Sequence, residues 1–215
     1  MDNGAPWRAI VTYRKVGRLR FLSHLDVARA MERAIRRAQW PVAYTKGFHQ
    51  RMRISLGPPL PVGAEGEAEL MAVALVERVP DEWALSTLRL KCHPDLAPVS
   101  VALQPSRAQP PLKLIRRASY IVELAPGSVA PDEVARAVAE MLSAERIPLA
   151  IEEGRRTLDL RPRIYSACVG EGLPVRLRIN LGVAEDNYLS PDRFLEGLSQ
   201  FLHCSPPLRW SRLVR

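Results

Sequence analysis

Cysteine is scarce in this chain, and the three that occur are far apart. Cys92, Cys168 and Cys204 form no C-x-x-C pair. An odd count at such spacing argues against a disulfide scaffold and against a local cysteine-ligated iron–sulfur cluster. We therefore expect three buried free thiols, because unpaired cysteine usually packs as a small apolar residue.

Long apolar runs are also missing. No run approaches the roughly 18 residues of a membrane helix, and the first ten residues lack the basic and apolar regions of a signal peptide. We expect a cytoplasmic protein with no membrane partner. The 215 residues are 47% hydrophobic and 25% charged, which is typical of one large or two smaller globular domains.

The familiar motifs of catalysis are absent as well. The sequence has no glycine-rich phosphate loop, metal-ligand cluster, nucleophile elbow or close carboxylate pair. We therefore predict no metal and no cofactor. A group of glutamates is expected on a solvated strand face rather than around an ion: Glu65, Glu67, Glu69 and Glu77.

What the chain does have is positive charge concentrated in one region. Residues 7–57 hold twelve Lys/Arg and two acids, a net charge of +10, while the whole chain carries +8. A localised basic surface indicates a polyanionic partner. Most of these residues are arginines, which suit bidentate phosphate contacts and stacking on bases.

Periodicity predicts an α+β fold made of two ferredoxin-like βαββαβ modules in tandem. In the first module we expect strands at 9–15, 42–45, 54–56, 69–75 and 99–103, with helices at 23–38 and 80–88. In the second we expect helices over 131–143 and from Ser190, with strands at 120–124, either 148–151 or 157–160, 164–169, 175–181 and 208–214. The predicted boundaries are 6–104 for the basic module, 105–117 for a proline-rich linker and 118–215 for the second module.

The basic region supplies the candidate nucleic-acid contacts. Its first helix carries four arginines on one face, a turn precedes it, and a loop opens at Gly47; the predicted contacts are Arg18, Arg20, Arg29, Arg33, Arg36, Arg37, Lys46, Phe48, Arg51 and Arg53. Phe48 is the candidate for base stacking, whereas Phe21 and Tyr44 are expected in the core. One continuous surface requires the helix and the loop to share a face. The alternative for the helix arginines is a solvated face without a partner.

Two histidines lie within the basic region. His24 or His49 could act as a general acid or base in RNA cleavage, with arginines stabilising the transition state. Neither spacing nor sequence pairs them, so they are weak catalytic candidates and the catalytic residues stay unassigned.

Residues 15–26, KVGRLRFLSHLD, carry a family resemblance. They resemble the signature K-x-G-x-x-R-F-L-S-H-L-D of the DUF2344 family, and similarity continues through residues 31–38, 41–44, 47–48 and 59–63. Beyond residue 75 it is weaker, with a D-x-R segment at 158–162. The resemblance implies a domain that occurs alone or joined to a B12-binding radical SAM protein, and hence an accessory role beside such an enzyme.

The chain also departs from that family pattern. After Gly-Phe the family usually has N-P-H-P, where this sequence has His49-Gln50-Arg51-Met52, and Ala72 stands where an acid is usual. A loop histidine and a nearby acid are thus both missing from their usual places, which makes binding a safer expectation than catalysis.

These observations favour a non-enzymatic module that binds an RNA, either tRNA or ribosomal RNA. The module would position that RNA for a separate B12-binding radical SAM protein in RNA modification or processing. Two alternatives stay open. One is a metal-independent endoribonuclease similar to Cas6-type proteins, an analogy of fold only. The other is a protein-interaction domain whose arginines meet an acidic partner.

Overall fold

The computed structural model describes residues 5–107, 111–125, 129–152, 154–204 and 207–215. The chain divides into two compact units, Met1–Leu114 and Ile115–Arg215. The predicted linker at 105–117 contains the last residue of a strand, a 3₁₀ helix at Pro111–Leu114 and the first residue of the next strand, while residues 108–110 of it lie outside the described part.

Unit 1 is a four-stranded antiparallel sheet with two helices. The elements follow the predicted βαββαβ order: β1 (Trp7–Lys15), α1 (His24–Arg37), β2 (Ile54–Leu56), β3 (Gly66–Leu75), α2 (Asp81–Arg89) and β4 (Pro98–Pro105). The strands lie in the order β2-β3-β1-β4, so that β1 pairs with β3 on one side and with β4 on the other.

The core of unit 1 lies between the sheet and its helices. Side chains alternate along β1, so that Ala9, Val11 and Tyr13 are buried against the apolar stripe of α1. That stripe, which includes Met31 and Ile35, recurs at helical spacing. Burial of this stripe fixes the rotation of α1 about its axis, and therefore turns the opposite side of the helix to solvent.

Unit 2 has a related sheet with an added hairpin. The elements are β5 (Arg117–Leu124), α3 (Pro131–Ser143), β6 (Pro148–Ile151), β7 (Arg156–Asp159), β8 (Ile164–Val169), β9 (Arg176–Gly182), α4 (Pro191–Phe201) and β10 (Trp210–Val214). The main sheet has the order β10-β5-β9-β8, and β6 and β7 pair with each other. Gly197 of α4 lies against Leu160 and Met141, where a Cβ would overlap Leu160.

The α+β class is confirmed, and three details of the prediction are wrong. The expected strand at 42–45 is replaced by two isolated bridges, Val42 with Leu75 and Tyr44 with Met52. The alternative strands at 148–151 and 157–160 both form, because they pair as one hairpin. The glutamates do not share a solvated face: Glu69 is buried, at 7% exposure, and Glu65 is half-buried.

Candidate nucleic-acid interface

A tight basic turn, Gly17–Phe21, connects β1 to α1 as a 3₁₀ helix. Gly17 has φ of +56°, and a Cβ there would lie 2.5 Å from Oδ2 of Asp95. Two carboxylates accept backbone hydrogen bonds from the turn: Glu65 from the Gly17 N–H and Asp95 from the Arg18 N–H, both at 3.2 Å. Glycine is therefore required by both conformation and space, and the acids hold the turn in place.

Two side chains of the basic turn, Arg18 and Phe21, are exposed, whereas Leu19 packs against the core. Arg20 Nη1 lies 3.7 Å from Oε1 of Glu65, and its guanidinium stacks 4.7 Å from the centroid of the Phe21 ring. Phe21 is 60% exposed. Its expected place in the core is wrong, because β1 ends at Lys15 and the turn carries Phe21 beyond the sheet.

Helix α1 begins at a well-formed cap. The Ser23 Oγ accepts a hydrogen bond from the Asp26 N–H at 3.2 Å and donates one to Oδ2 of Asp26 at 2.6 Å. The Ser23 hydroxyl lowers the pKa of the Asp26 carboxyl, and Arg29, 3.5 Å away, acts in the same direction. The predicted cap at Ser23 thus fixes where the helix starts.

The four predicted helix arginines all lie on the exposed side of α1. We call this set the arginine face: Arg29, Arg33, Arg36 and Arg37. Arg29 pairs with Asp26, and Arg37 Nη2 donates to the Lys91 carbonyl at 2.7 Å. Within the described residues, Arg33 and Arg36 form no ion pair, so their guanidinium groups remain available to a partner.

The predicted loop is an irregular hairpin. Its arms are held by backbone bonds from Thr45 N–H to the Arg51 carbonyl and from Arg53 N–H to the Ala43 carbonyl, both at 2.9 Å. We call residues 46–50 the loop tip. All of them are exposed, and Phe48 is fully so, at 106%.

The remaining loop side chains differ in exposure. Arg51 is exposed and Arg53 is half-buried. Tyr44 is 40% exposed, so its expected place in the core is wrong, because the hairpin carries it off the sheet edge. Trp40 is buried and its Nε1–H donates to Oγ1 of Thr87 at 3.2 Å.

The loop and the basic turn lie at opposite ends of the sheet. Lys15, just before the turn, pairs with Gly66 at the start of β3, whereas Val42, at the base of the hairpin, pairs with Leu75 at its end. Those ends are about 30 Å apart along a strand of this length. Helix α1, about 21 Å long by its rise per residue, runs from the end of the sheet that bears the turn toward the end that bears the base of the hairpin.

The two histidines do not come together. His24 is the first residue of α1, beside the basic turn, and His49 lies in the loop tip. The register just described puts these positions at opposite ends of the sheet. Each imidazole would therefore have to act without the other.

Three residues of unit 1 have structural roles that the sequence did not indicate: Lys15, Glu65 and Asp95. Asp95 and Glu65 support the basic turn from 77 and 48 residues away. Lys15 is only 3% exposed, and its Nζ donates to the Leu22 carbonyl at 3.0 Å, which ties β1 to the start of α1. Long-range side-chain bonds to backbone follow no local spacing, so only the fold reveals them.

The described residues contain no group of three or more His, Cys, Asp or Glu side chains placed to hold a metal ion. Nor does any helix among them have the length and apolar content required to cross a bilayer.

Residues 8–191 match the sequence profile of DUF2344, a family described as an uncharacterized protein conserved in bacteria. The chain belongs to the DUF2344 family. No curated protein matches it. The crystal structure of a Cbf5-Nop10-Gar1 complex contains a chain of similar fold, with a TM-score of 0.51 and 14% identity over 96% of this chain and 47% of that one. This DUF2344 chain therefore spans about half of that neighbour, and the likeness concerns the fold alone.

The D-x-R segment of this DUF2344 protein has a structural role. Asp159 accepts hydrogen bonds from the backbone N–H groups of Ile147, at 2.9 Å, and Arg161, at 3.2 Å. The Ile147 bond is the main cause that lowers the pKa of the Asp159 carboxyl. Arg161 Nη1 donates to the Ile164 carbonyl at 3.2 Å. The segment thus fastens the β6–β7 hairpin to the start of β8.

The cysteines of the DUF2344 chain are free but not uniformly buried. Cys92 and Cys204 are half-buried, and burial raises the pKa of the Cys92 thiol to about 11. Cys168 is exposed, so the expectation of three buried thiols is wrong: one thiol is exposed and the other two are only partly buried. Cys168 follows the alternation of β8, opposite Arg178, onto the sheet face that bears polar residues.

Proposed function

We propose that this DUF2344 chain is an RNA-binding module that grips RNA through unit 1 and presents it to a B12-binding radical SAM protein. The observation that carries the RNA proposal is the arginine face of α1. Four guanidinium groups line one exposed side of a helix, and two of them, Arg33 and Arg36, form no ion pair within the described residues. A polyanion is the partner that such a surface fits.

The neighbours of the arginine face favour RNA among polyanions. Phe21 and Phe48 are both exposed, one under the Arg20 guanidinium in the turn before α1 and one at the loop tip. Unpaired RNA bases stack on exposed aromatic rings and on arginine planes. Arginines along the helix would hold phosphates, while Phe48, with Lys46 and Arg51 beside it, would hold an unstacked nucleotide.

The partner enzyme in the proposal comes from the family resemblance. DUF2344 domains that are joined to B12-binding radical SAM proteins imply a function beside such an enzyme. RNA modification or processing is the reaction class that would unite an RNA-binding module with that chemistry. Co-purification of the two proteins after RNase treatment would distinguish direct protein contact from tethering by RNA.

Because His24 and His49 lie apart, these two histidines would not form a paired acid and base for the endoribonuclease alternative. Purified chain should therefore leave labelled RNA intact in the absence of metal. Metal-independent cleavage that His24→Ala or His49→Ala abolishes would instead establish the nuclease.

The direct test is tRNA binding by the full chain as a function of salt. The R33A/R36A variant should bind at least about tenfold more weakly, because it lacks two charge-assisted hydrogen bonds to phosphate. The dependence of log affinity on log salt should become shallower by about 0.9 for each phosphate that is no longer neutralised. Neither side chain packs in the core, so folding should be unaffected.

A matched control removes the same charge elsewhere. Lys113 and Arg136 are both exposed and lie outside the arginine face. The K113A/R136A variant should keep near wild-type affinity and slope. Equal reductions of affinity in the two double variants would mean that only net charge matters, and absence of tRNA binding at low salt would refute the proposal.

A further inference from the structure

Unit 2 presents a sheet face that its helices do not cover. Along β5, Tyr120, Val122 and Leu124 are buried, so the alternating residues between them point to the other side. Along β9, Leu177, Ile179 and Leu181 are buried in the same way. We call the opposite side of this sheet the open face of unit 2; its residues on three strands are Arg117, Ser119, Ile121, Glu123, Ser166, Cys168, Arg176, Arg178 and Asn180.

The open face is basic. Arg117, Arg176 and Arg178 are all exposed, and Arg212 of β10 joins them opposite Glu123 in the register. Among the described strand residues of this face the acid is Glu123, whose Oε1 accepts a hydrogen bond from Arg176 Nε at 3.0 Å. Among the described residues, Arg178 has no acidic partner. The four arginines outnumber the single glutamate of these described strands, so the open face carries a net positive charge.

A row of hydrogen-bonding side chains crosses the centre of the open face. Ser119 Oγ donates to Oδ1 of Asn180 at 2.5 Å, and Asn180 Nδ2 donates to Oγ of Ser166 at 2.9 Å. The row thus spans β5, β9 and β8 in register. These groups lie between the arginines and offer both donors and acceptors at the surface.

One end of the open face carries a stacked pair. The Arg117 guanidinium lies 4.9 Å from the centroid of the Tyr165 ring, and Tyr165 is 45% exposed. The Tyr165 hydroxyl accepts a bond from Asn187 Nδ2 at 3.0 Å, which holds the ring in place. An oriented ring and a guanidinium plane form the kind of platform on which a nucleobase stacks.

The corresponding side of unit 1 has a different character. Two of its arginines donate hydrogen bonds to backbone carbonyl groups. Arg8 Nη2 donates to the Ser106 carbonyl and Arg14 Nε donates to the Pro94 carbonyl, both at 3.2 Å. On the neighbouring strand β3, small side chains such as Ala72 and Ala74 lie opposite the β1 residues. The charged and polar face is thus a property of unit 2 and does not follow from the sheet topology alone.

We propose that the open face of unit 2 is a second binding surface, for a single-stranded RNA segment. From Gly182, opposite Arg117, to Arg176 the face is about 20 Å long, enough for a few nucleotides. The exposed arginines would contact phosphates, Tyr165 and Arg117 would stack on a base, and the serine–asparagine row would bind base edges. A duplex fits less well, since its bases are not available to stack on a flat sheet.

The test is the binding of a fluorescein-labelled oligouridylate to the full chain. We expect the R117A/R178A variant to bind about tenfold more weakly, with the salt slope reduced by about 0.7 for each phosphate of the single strand that is no longer neutralised. The K113A/R136A variant, which removes the same charge, should match wild type. Circular dichroism and melting of each variant would establish that folding is intact.

The outcomes separate this surface from the one in unit 1. If R33A/R36A weakens binding of the oligouridylate but R117A/R178A matches the control, the second surface is refuted while the proposed function stands. If only R117A/R178A weakens it, the second surface stands without the arginine face. If a protein, rather than the RNA, protects this face in a complex, the single-strand proposal is overturned.

Cys168 supplies an independent readout that does not depend on mutation. Its thiol is exposed and lies opposite Arg178 on the open face, with its Sγ 3.7 Å from the Arg178 carbonyl. Bound oligouridylate should slow its alkylation by iodoacetamide severalfold, while alkylation of Cys204 in the same chain should stay unchanged. An unchanged rate at Cys168 under saturating oligouridylate would contradict the proposal.

Discussion

At the scale of single residues, the aromatic rings of Phe21 and Phe48 in unit 1 are exposed to solvent. Phe48 is fully exposed at the loop tip, where it makes no contribution to a core. Single exposed apolar side chains are common on protein surfaces, so the role proposed for Phe48 rests on its place between Lys46 and Arg51 in the basic loop. Sequence alone placed Phe48 correctly because it follows Gly47 in a polar loop; it misplaced Phe21 because a helical turn and a core position look alike in such a short segment.

Substitution of Phe48 by alanine separates binding from stability. The free energy of unfolding should change by less than about 0.5 kcal/mol, since the ring is not packed in the native state. Affinity for tRNA should fall by about 1–3 kcal/mol if a base stacks on the ring. Chemical denaturation and filter binding measure the two effects. Unchanged affinity would remove Phe48 from the interface.

Gly17 is the residue on which the basic turn depends. Gly17→Ala should destabilise unit 1 by about 1–2 kcal/mol, because φ of +56° disfavours alanine and the new Cβ would displace the Asp95 carboxylate. Gly47→Ala measures backbone strain alone, since φ there is +120° and open space surrounds the position. If Gly17→Ala costs as much stability in the Asp95→Ala background as in wild type, the role assigned to Asp95 is contradicted.

The lowered pKa of the Asp159 carboxyl predicts that the stability of the protein depends on pH. Its folded pKa is lowered, so its charged form stabilises the native state above the ordinary carboxyl pKa of about 3.9, and that contribution disappears as the pH falls through the lower folded value. Asp159→Asn should therefore melt at lower temperature than wild type near neutral pH. The difference should shrink as the pH approaches 3. A difference that stays constant over this range would show that charge is not involved.

At the scale of elements, the N-terminal cap of α1 supports the helix that bears the arginine face. Ser23 caps the helix, and the helix carries the arginine face, so the cap determines how firmly that face is held. Ser23→Ala should cost about 1 kcal/mol of stability. It should also raise the pKa of Asp26 toward its ordinary value, since the Ser23 hydroxyl is the main cause that lowers it.

Denaturation and carboxyl titration by NMR measure these two changes. Ser86→Ala is the matched control, because the Ser86 hydroxyl donates to the Trp83 carbonyl within α2 and caps nothing; it should change stability by less than about 0.5 kcal/mol. An Asp26 pKa that Ser23→Ala leaves unmoved would refute the account of the cap.

Elements differed in how well sequence could predict them. Helix α3, begun by Pro131, has its predicted bounds of Pro131–Ser143, and β8 likewise matches Ile164–Val169. Their signals are local: proline at the first helical turn for α3, and a short run rich in apolar residues for β8. The segment 42–53 was harder, since isolated bridges to Leu75 and Met52 depend on the sheet edge. The pairing of β6 with β7 also could not be read from either strand alone.

At the scale of the whole molecule, the charge concentrated in residues 7–57 can be read directly from the sequence. Its arginines on α1 are exposed as expected, because the apolar stripe of Met31 and Ile35 fixes the opposite side. The open face of unit 2 could not be found in this way. Its arginines are separated in sequence by up to 95 positions, from Arg117 to Arg212, and only strand register brings them together.

The central claim is that unit 1 of this DUF2344 chain holds RNA along its arginine face. Photocrosslinking of the full chain to 4-thiouridine-labelled tRNA, followed by mass spectrometry of the linked peptides, tests it most directly. We predict that peptides containing the basic turn, helix α1 and the loop tip carry the crosslinks, with Phe21 and Phe48 among the linked residues. Crosslinks found entirely outside residues 18–53 would contradict the claim.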